Sequence, residues 1–75
     1  MQAFIQIAIH GDSVEHVFEA LKKMGEVQEV FTLFGEWDFL ARVRVSSPEE
    51  LGTFVIDKIR PLPGVRLTST MIIAK

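Results

Sequence analysis

Asp38 opens the segment Trp37-Asp38-Phe39-Leu40-Ala41-Arg42-Val43 and places a carboxylate at the lip of a largely apolar stretch. Buried and unpaired, such a group costs several kcal/mol, so either a turn leaves it in water or something hydrogen-bonds to it. A second polar feature is Thr68-Ser69-Thr70, inside the apolar C-terminal segment that runs from Val65. Threonine suits β-structure and hydroxyls satisfy themselves on nearby backbone, so the cluster alone is an ordinary strand. Taken with Asp38 it suggests more. A carboxylate can hold an ammonium group, while hydroxyls and free backbone N–H groups near a glycine turn can hold a carboxylate. Those are the two poles of an amino acid.

Other chemistries have less to work with. The chain contains no Cys and no Tyr, and no catalytic residue is assigned. A His10–Asp38 dyad would need both residues at one end of neighbouring strands, and the alternation of strand directions is expected to separate them. His10 and His16 lack the spacing of a metal site with nearby acids, so no metal and no cofactor are expected. A net charge of -2 and a pI near 5.6 give no basic footprint, so no direct nucleic-acid partner is expected. The run Gly35-Glu36-Trp37-Asp38-Phe39-Leu40 is faintly similar to the aromatic strand of an RNA-recognition module, but the acidic balance speaks against that use.

Seventy-five residues with 48% hydrophobic and 24% charged side chains describe one globular domain, residues 1–75. A chain this short buries only about 60% of the surface that its unfolded form exposes. Without cysteine, disulfides and thiolate zinc sites cannot add stability, which leaves oligomerisation as the common device. The start lacks the basic region and cleavage site of a signal peptide, and its apolar run is too short to span a bilayer. The expectation is a cytoplasmic protein with no membrane partner.

The elements that must position these residues follow from periodicity. Ala3, Ile5, Ile7 and Ile9 alternate as a strand that ends at His10-Gly11. Asp12 or Ser13 can cap a helix, with Glu15 in capping-box position. Val14, Val17, Phe18 and Leu21 form its apolar stripe and Gly25 its stop. A second strand is expected over residues 26–34 and a third over 37–45, joined by a two-residue Gly35-Glu36 turn of type II′. Opposed residues then sum to 71, which sets Phe34 against Trp37, Thr32 against Phe39, Val30 against Ala41 and Glu29 against Arg42. Ser47-Pro48-Glu49-Glu50 reads as an N-cap, a first-turn proline and an N3 glutamate. The helix it opens carries Leu51, Phe54, Val55 and Ile59 on one face and ends at Pro61. A last strand begins at Val65.

The order β-α-β-β-α-β is the α+β, ferredoxin-like arrangement: a four-stranded antiparallel sheet with two helices on one face. Both faces of the sheet carry apolar groups, yet helices cover only one. Phe31, Leu33 and Leu40, with Arg42 and Arg44 beside them, would form the uncovered face, and such a face marks an interface. A sheet-mediated dimer of the dimeric α/β-barrel type is expected.

The segments Leu33-Phe34-Gly35-Glu36-Trp37-Asp38-Phe39-Leu40, Ser46-Ser47-Pro48-Glu49-Glu50 and Arg66-Leu67-Thr68-Ser69-Thr70-Met71 together resemble the amino-acid-sensing RAM domain of Lrp/AsnC transcriptional regulators. The resemblance covers nearly the whole chain. It implies a module that dimerises through its sheet, assembles into rings of dimers and binds small amino acids between dimers. It further implies that Gly35, Glu36, Trp37 and Asp38, with Thr68 and Thr70, line the pocket, and that Ser69 and Met71 are neighbours. Trp37 stands where tyrosine is more usual in the family and Phe34 where threonine often stands. Family regulators carry an N-terminal helix-turn-helix domain, whereas this sequence starts at the sensing domain. It is therefore similar to the stand-alone RAM proteins, which implies an amino-acid-responsive homo-oligomer able to co-assemble with a full-length Lrp/AsnC regulator.

Two other readings remain open at this point. Dimeric α+β-barrel monooxygenases and isomerases share the element order, and in such an enzyme His10 or Trp37 would face a substrate. A purely structural adaptor would oligomerise and bind no metabolite. An ACT-like regulatory domain has the same element order, and only the segments around Gly35–Asp38 and Thr68–Thr70 favour RAM.

Overall fold

Ala3, Ile5, Ile7 and Ile9 are all buried in the computed structural model, which describes residues 1–74, so the period-two strand forms as its sequence requires. The elements run β1 (Gln2–Ile9), α1 (Val14–Lys22), β2 (Val27–Thr32), β3 (Phe39–Arg44), α2 (Pro48–Phe54) continued by a π-helical turn (Val55–Ile59), and β4 (Val65–Ile72). One antiparallel sheet has the order β2-β3-β1-β4, the ferredoxin-like topology. Val17 and Leu21 of α1, with Leu51, Phe54, Val55 and Ile59 of α2 and its extension, close over Ile5, Ile7, Phe39, Ala41 and Val43. Both helices thus cover the same face. Phe18 adds a tilted aromatic contact to Phe39, with ring centroids 6.1 Å apart.

The expected hairpin register is present, but the turn is not. Glu29↔Arg42, Val30↔Ala41, Phe31↔Leu40 and Thr32↔Phe39 all sum to 71, and a shift follows toward Val27↔Val43. Pairing stops at Thr32 and Phe39, however, and residues 33–38 form a loop closed by the Leu33 N–H donating to the Asp38 carbonyl at 2.9 Å. Phe34 therefore does not face Trp37. It lies fully exposed, and Gly35 takes a φ of +140° that side chains rarely adopt. Asp38 bonds on both sides here, its N–H to the Ile7 carbonyl of β1 and its carbonyl to the Leu33 N–H.

The helix starts also differ from one another. Ser47 caps α2 as expected: its hydroxyl accepts the Glu50 N–H at 3.1 Å, with Pro48 in the first turn. The Glu50 carboxylate reaches back one residue further than a capping box requires and accepts from the Ser46 N–H and hydroxyl. Those bonds hold the Glu50 carboxyl below its usual value of 4.5. At α1, Ser13 occupies the N-cap position without any side-chain cap bond, and its backbone (φ -83°, ψ 6°) lies outside the extended region that the capping Ser47 adopts; it packs beside Gly64, where any Cβ would lie 2.5 Å from Ser13 Cβ. Val14 stays 42% exposed, so the buried stripe begins at Val17. The helix ends at Lys22, before Gly25.

The widened turn after α2 was not expected. The Arg60 N–H donates to the Val55 carbonyl at 2.9 Å, a five-residue step. Pro61 follows and has no N–H to donate, and in α geometry its ring would meet the carbonyl four residues back. The wider turn still buries Val55 and Ile59. Lys58 on the same turn bonds Glu26 at the start of β2, Nζ to Oε2 3.0 Å.

The second face of the sheet is uncovered by helices. Cross-strand partners place Phe31, Leu40, Gln6 and Ser69 in one row and Glu29, Arg42, Phe4 and Met71 in the next. Phe31 and Met71 are more than 40% exposed. Arg44 lies on the same face and is exposed, whereas Leu33 lies just past the end of β2. The Arg42 guanidinium is engaged within the chain by Glu29 Oε1 at 2.5 and 2.9 Å and by Gln2 Oε1 at 3.3 Å.

Candidate functional site

Asp38 lies where β3 leaves the sheet and β1 continues past it. Its N–H donates to the Ile7 carbonyl and its own carbonyl accepts from Leu33, both at 2.9 Å. Its carboxylate Oδ2 accepts the Ile9 N–H at 2.9 Å. In a continued ladder a main-chain carbonyl of the neighbouring strand would take that N–H. Here the side chain replaces it, so the acidic residue among apolar neighbours is a clip between β1 and the loop. The clip also shows that β1 and β3 bring His10 and Asp38 to the same end of the sheet, contrary to the expectation that strand alternation would separate them. Antiparallel neighbours place the end of one beside the start of the other, but the Asp38 oxygen engaged there serves Ile9.

The hydroxyl cluster is on the opposite flank of β1. Thr68 and Phe39 are both register partners of Ile7, one on each side, so a whole strand separates β4 from the loop. Thr68 and Thr70 share the helix-covered face, where Arg60 Nε donates to Thr68 Oγ1 at 3.4 Å and Thr70 borders a groove with Leu51, Val55 and Ile56. Ser69 and Met71 point to the uncovered face with Gln6 and Phe4. Within one chain, therefore, Gly35, Glu36, Trp37 and Asp38 form one group and Thr68, Ser69, Thr70 and Met71 divide between two faces.

The two groups approach each other at one place. Glu36 and Trp37 from the loop, Ala8 from β1, and Arg66 and Leu67 from β4 surround an open hollow of about 340 Å³. A second hollow of about 280 Å³ continues from it past Arg66 and Leu67 to Val65, Thr68 and Arg60. Ala8, Arg66 and Leu67 do not stand out in the sequence as Asp38 does. The signal they carry is local: Ala8 breaks the run of large residues in β1, and Leu67 is its register partner. The charges are opposite in sign, Glu36 on one wall and Arg66 on the other. The ion pairs among the described residues are Glu29–Arg42 and Glu26–Lys58, so neither wall charge is neutralised by the chain.

Among the described residues, no group of three or more His, Cys, Asp or Glu is placed to hold a metal ion, and no helix is long and apolar enough to cross a membrane.

A family model described as the Lrp/AsnC ligand binding domain matches residues 2–75. An uncharacterised HTH-type transcriptional regulator of Pyrococcus abyssi is 45% identical over 73 residues, 93% of this chain and 49% of that protein. The chain thus spans about half the length of the curated relatives it matches. Among solved structures, FFRP-DM1 superposes with a TM-score of 0.92 at 35% identity, covering 96% of both chains. A transcriptional regulator of Neisseria meningitidis, solved as a complex with L-methionine, has a TM-score of 0.89 at 28% identity, covering 99% of this chain and 49% of that one.

Proposed function

We propose, because this chain belongs to the Lrp/AsnC family as its ligand-binding domain, that it senses an amino acid and acts as a homo-oligomer. The family is one of transcriptional regulators, so the role is regulatory and not catalytic. The enzymatic reading therefore drops away. The observation that carries the proposal is the family match across residues 2–75, and the L-methionine complex of a structural relative gives it a ligand class.

In this reading the loop 33–38 and the adjoining end of β4 form part of the effector site, with Gly35, Glu36, Trp37 and Thr68 on its walls. Asp38 holds the loop against β1 and lends its second carboxylate oxygen to the site. Ser69, Thr70 and Met71 serve a site shared between copies, since they do not reach the loop of their own chain. The uncovered sheet face, with Phe31, Leu40 and Met71 exposed or half-buried on it, supports pairing through the sheet. Dimers so formed can assemble further into a ring, and the same face would allow co-assembly with a full-length Lrp/AsnC regulator. The chain itself makes no direct contact with nucleic acid in this scheme.

Calorimetric titration with the proteinogenic amino acids, alongside sedimentation velocity with and without each, tests the proposal. Saturable binding of at least one amino acid to a dimer or larger assembly is the expected result. A monomer at micromolar concentration that binds none of them would refute it.

A further inference from the structure

Phe34 stands in the 33–38 loop at 108% exposure, although phenylalanine is among the side chains most often found inside a protein. Its ring gains no cover from its own chain. Along α2 and its π-helical extension, Leu51, Gly52, Val55 and Ile56 line an open, largely apolar groove of about 250 Å³, with Arg60 and Thr70 completing the lining. Ile56 is 59% exposed, and a methyl group on Gly52 would meet nothing within 4 Å, so this stretch of helix is uncovered. The groove is smaller than the roughly 300–1,000 Å³ of pockets that enclose a free small molecule. It suits one large apolar side chain.

We infer that the groove on α2 receives Phe34 from a second copy of this chain, with Glu36 of the inserted loop meeting Arg60 of the groove. The inference rests on the homo-oligomer reading above and names a contact, separate from the uncovered sheet face, through which dimers join. Charge complementarity selects the occupant. Glu36 follows Phe34 by two residues and is exposed, Arg60 lines the groove and is exposed, and neither takes part in an ion pair among the described residues. Arg60 Nε donates to Thr68 Oγ1 at 3.4 Å, which steadies the side chain against β4 beside the groove. An aromatic anchor seated in an apolar pocket, with opposite charges at its rim, is the arrangement on which specific protein contacts depend. Every copy carries both halves, so ring and groove are present in equal number. They are different surfaces of one chain, and the contact is therefore head-to-tail: it leaves a free ring at one end and a free groove at the other until a closed ring forms. Pairing through the sheet face, by contrast, sets like against like and ends at two copies.

The test is sedimentation velocity of the full chain at micromolar concentration with no amino acid added. Wild type should show a species larger than a dimer. Phe34→Ser and Ile56→Glu, both at exposed positions, should each lose that species and leave a dimer with unchanged circular dichroism. An equimolar mixture of the two should regain a larger species, because one variant still offers grooves and the other still offers rings. Glu36→Arg or Arg60→Glu alone sets like charges together and should raise the concentration needed for the larger species by about tenfold or more; both substitutions in one chain should restore it. A wild type that stops at a dimer, or a larger species indifferent to Phe34→Ser and Ile56→Glu, overturns this contact and leaves in place sheet pairing and amino-acid binding, which the titration above reads separately. A mixture that does not reassemble overturns the match of ring to groove, and a charge reversal without rescue overturns the match of Glu36 to Arg60. A monomeric wild type overturns the contact and, if no amino acid binds, the sensing role with it.

Discussion

The carboxylate of Asp38 and the backbone N–H of Ile9, 29 positions apart in the chain, are joined by a hydrogen bond of 2.9 Å. That bond closes the sheet at the end where β3 begins and fixes the loop that carries Glu36 and Trp37. It gives Asp38 a structural task ahead of any ligand. Removal and neutralisation should therefore have different effects.

Asp38→Ala leaves the Ile9 N–H without its acceptor, a loss of about 1–2 kcal/mol. For a domain of this size that lowers the thermal midpoint by roughly 4–8 °C per kcal/mol. Asp38→Asn keeps an acceptor oxygen and should retain most of the midpoint. Differential scanning calorimetry of the two variants distinguishes a clip from a group needed only for its charge. Equal losses would show that the charge matters more than the bond.

Gly64 and Gly52 should respond to alanine with opposite signs. Gly64 has a φ of +97°, and a Cβ there would lie 2.5 Å from Ser13 Cβ and Oγ, so Gly64→Ala should cost roughly 2–4 kcal/mol through strain and overpacking. Gly52 is in the interior of α2, and a methyl group added there would meet nothing within 4 Å, so Gly52→Ala should add about 0.5–1 kcal/mol. Urea midpoints at constant slope measure both.

Loss of the α2 cap should be visible separately. Ser47→Ala removes the hydroxyl that accepts the Glu50 N–H and should cost about 1 kcal/mol. Ser47→Asp should retain most of the stability, because aspartate caps as well as serine does. Chemical denaturation of both variants gives the comparison.

Acid should weaken the fold through two carboxylates. Bonds from Ser46 hold the Glu50 carboxyl below 4.5, and the Lys58 ammonium does the same for Glu26. With the folded values lowered, these groups bind protons more readily in the unfolded chain. Their contribution is complete above about 4.5 and is lost as pH falls from there through the lowered folded values. Glu50 is exposed and Glu26 half-buried beside an exposed Lys58, so the effect is modest. A Glu26→Gln, Glu50→Gln double variant should show a shallower decline of stability across that window than wild type.

Phe31→Glu should dissociate the assembly that the uncovered face supports, since a charge would be placed in the same row as Leu40 at the centre of a buried contact. Sedimentation velocity should then show a smaller species with unchanged secondary structure. An unaltered sedimentation coefficient would move the interface elsewhere.

What the sequence determined is what depends on period and short-range chemistry. The alternation in β1, the Ser47-Pro48 helix start, the buried Leu51, Phe54, Val55 and Ile59 and the hairpin register from Glu29 to Thr32 follow from side chains near each other in the chain, and together they specify the ferredoxin-like order. The tertiary structure decided what depends on groups far apart in sequence. The Asp38 carboxylate ties the Gly35 loop to Ile9 of β1, and Ser13, packed beside Gly64, makes no cap bond to its own helix. The candidate site shows the same division. Glu36, Trp37 and Asp38 stood out locally, but Ala8, Arg66 and Leu67 joined them only because β1 lies between the loop and β4, a neighbourhood set by strand order and invisible to any short window of residues.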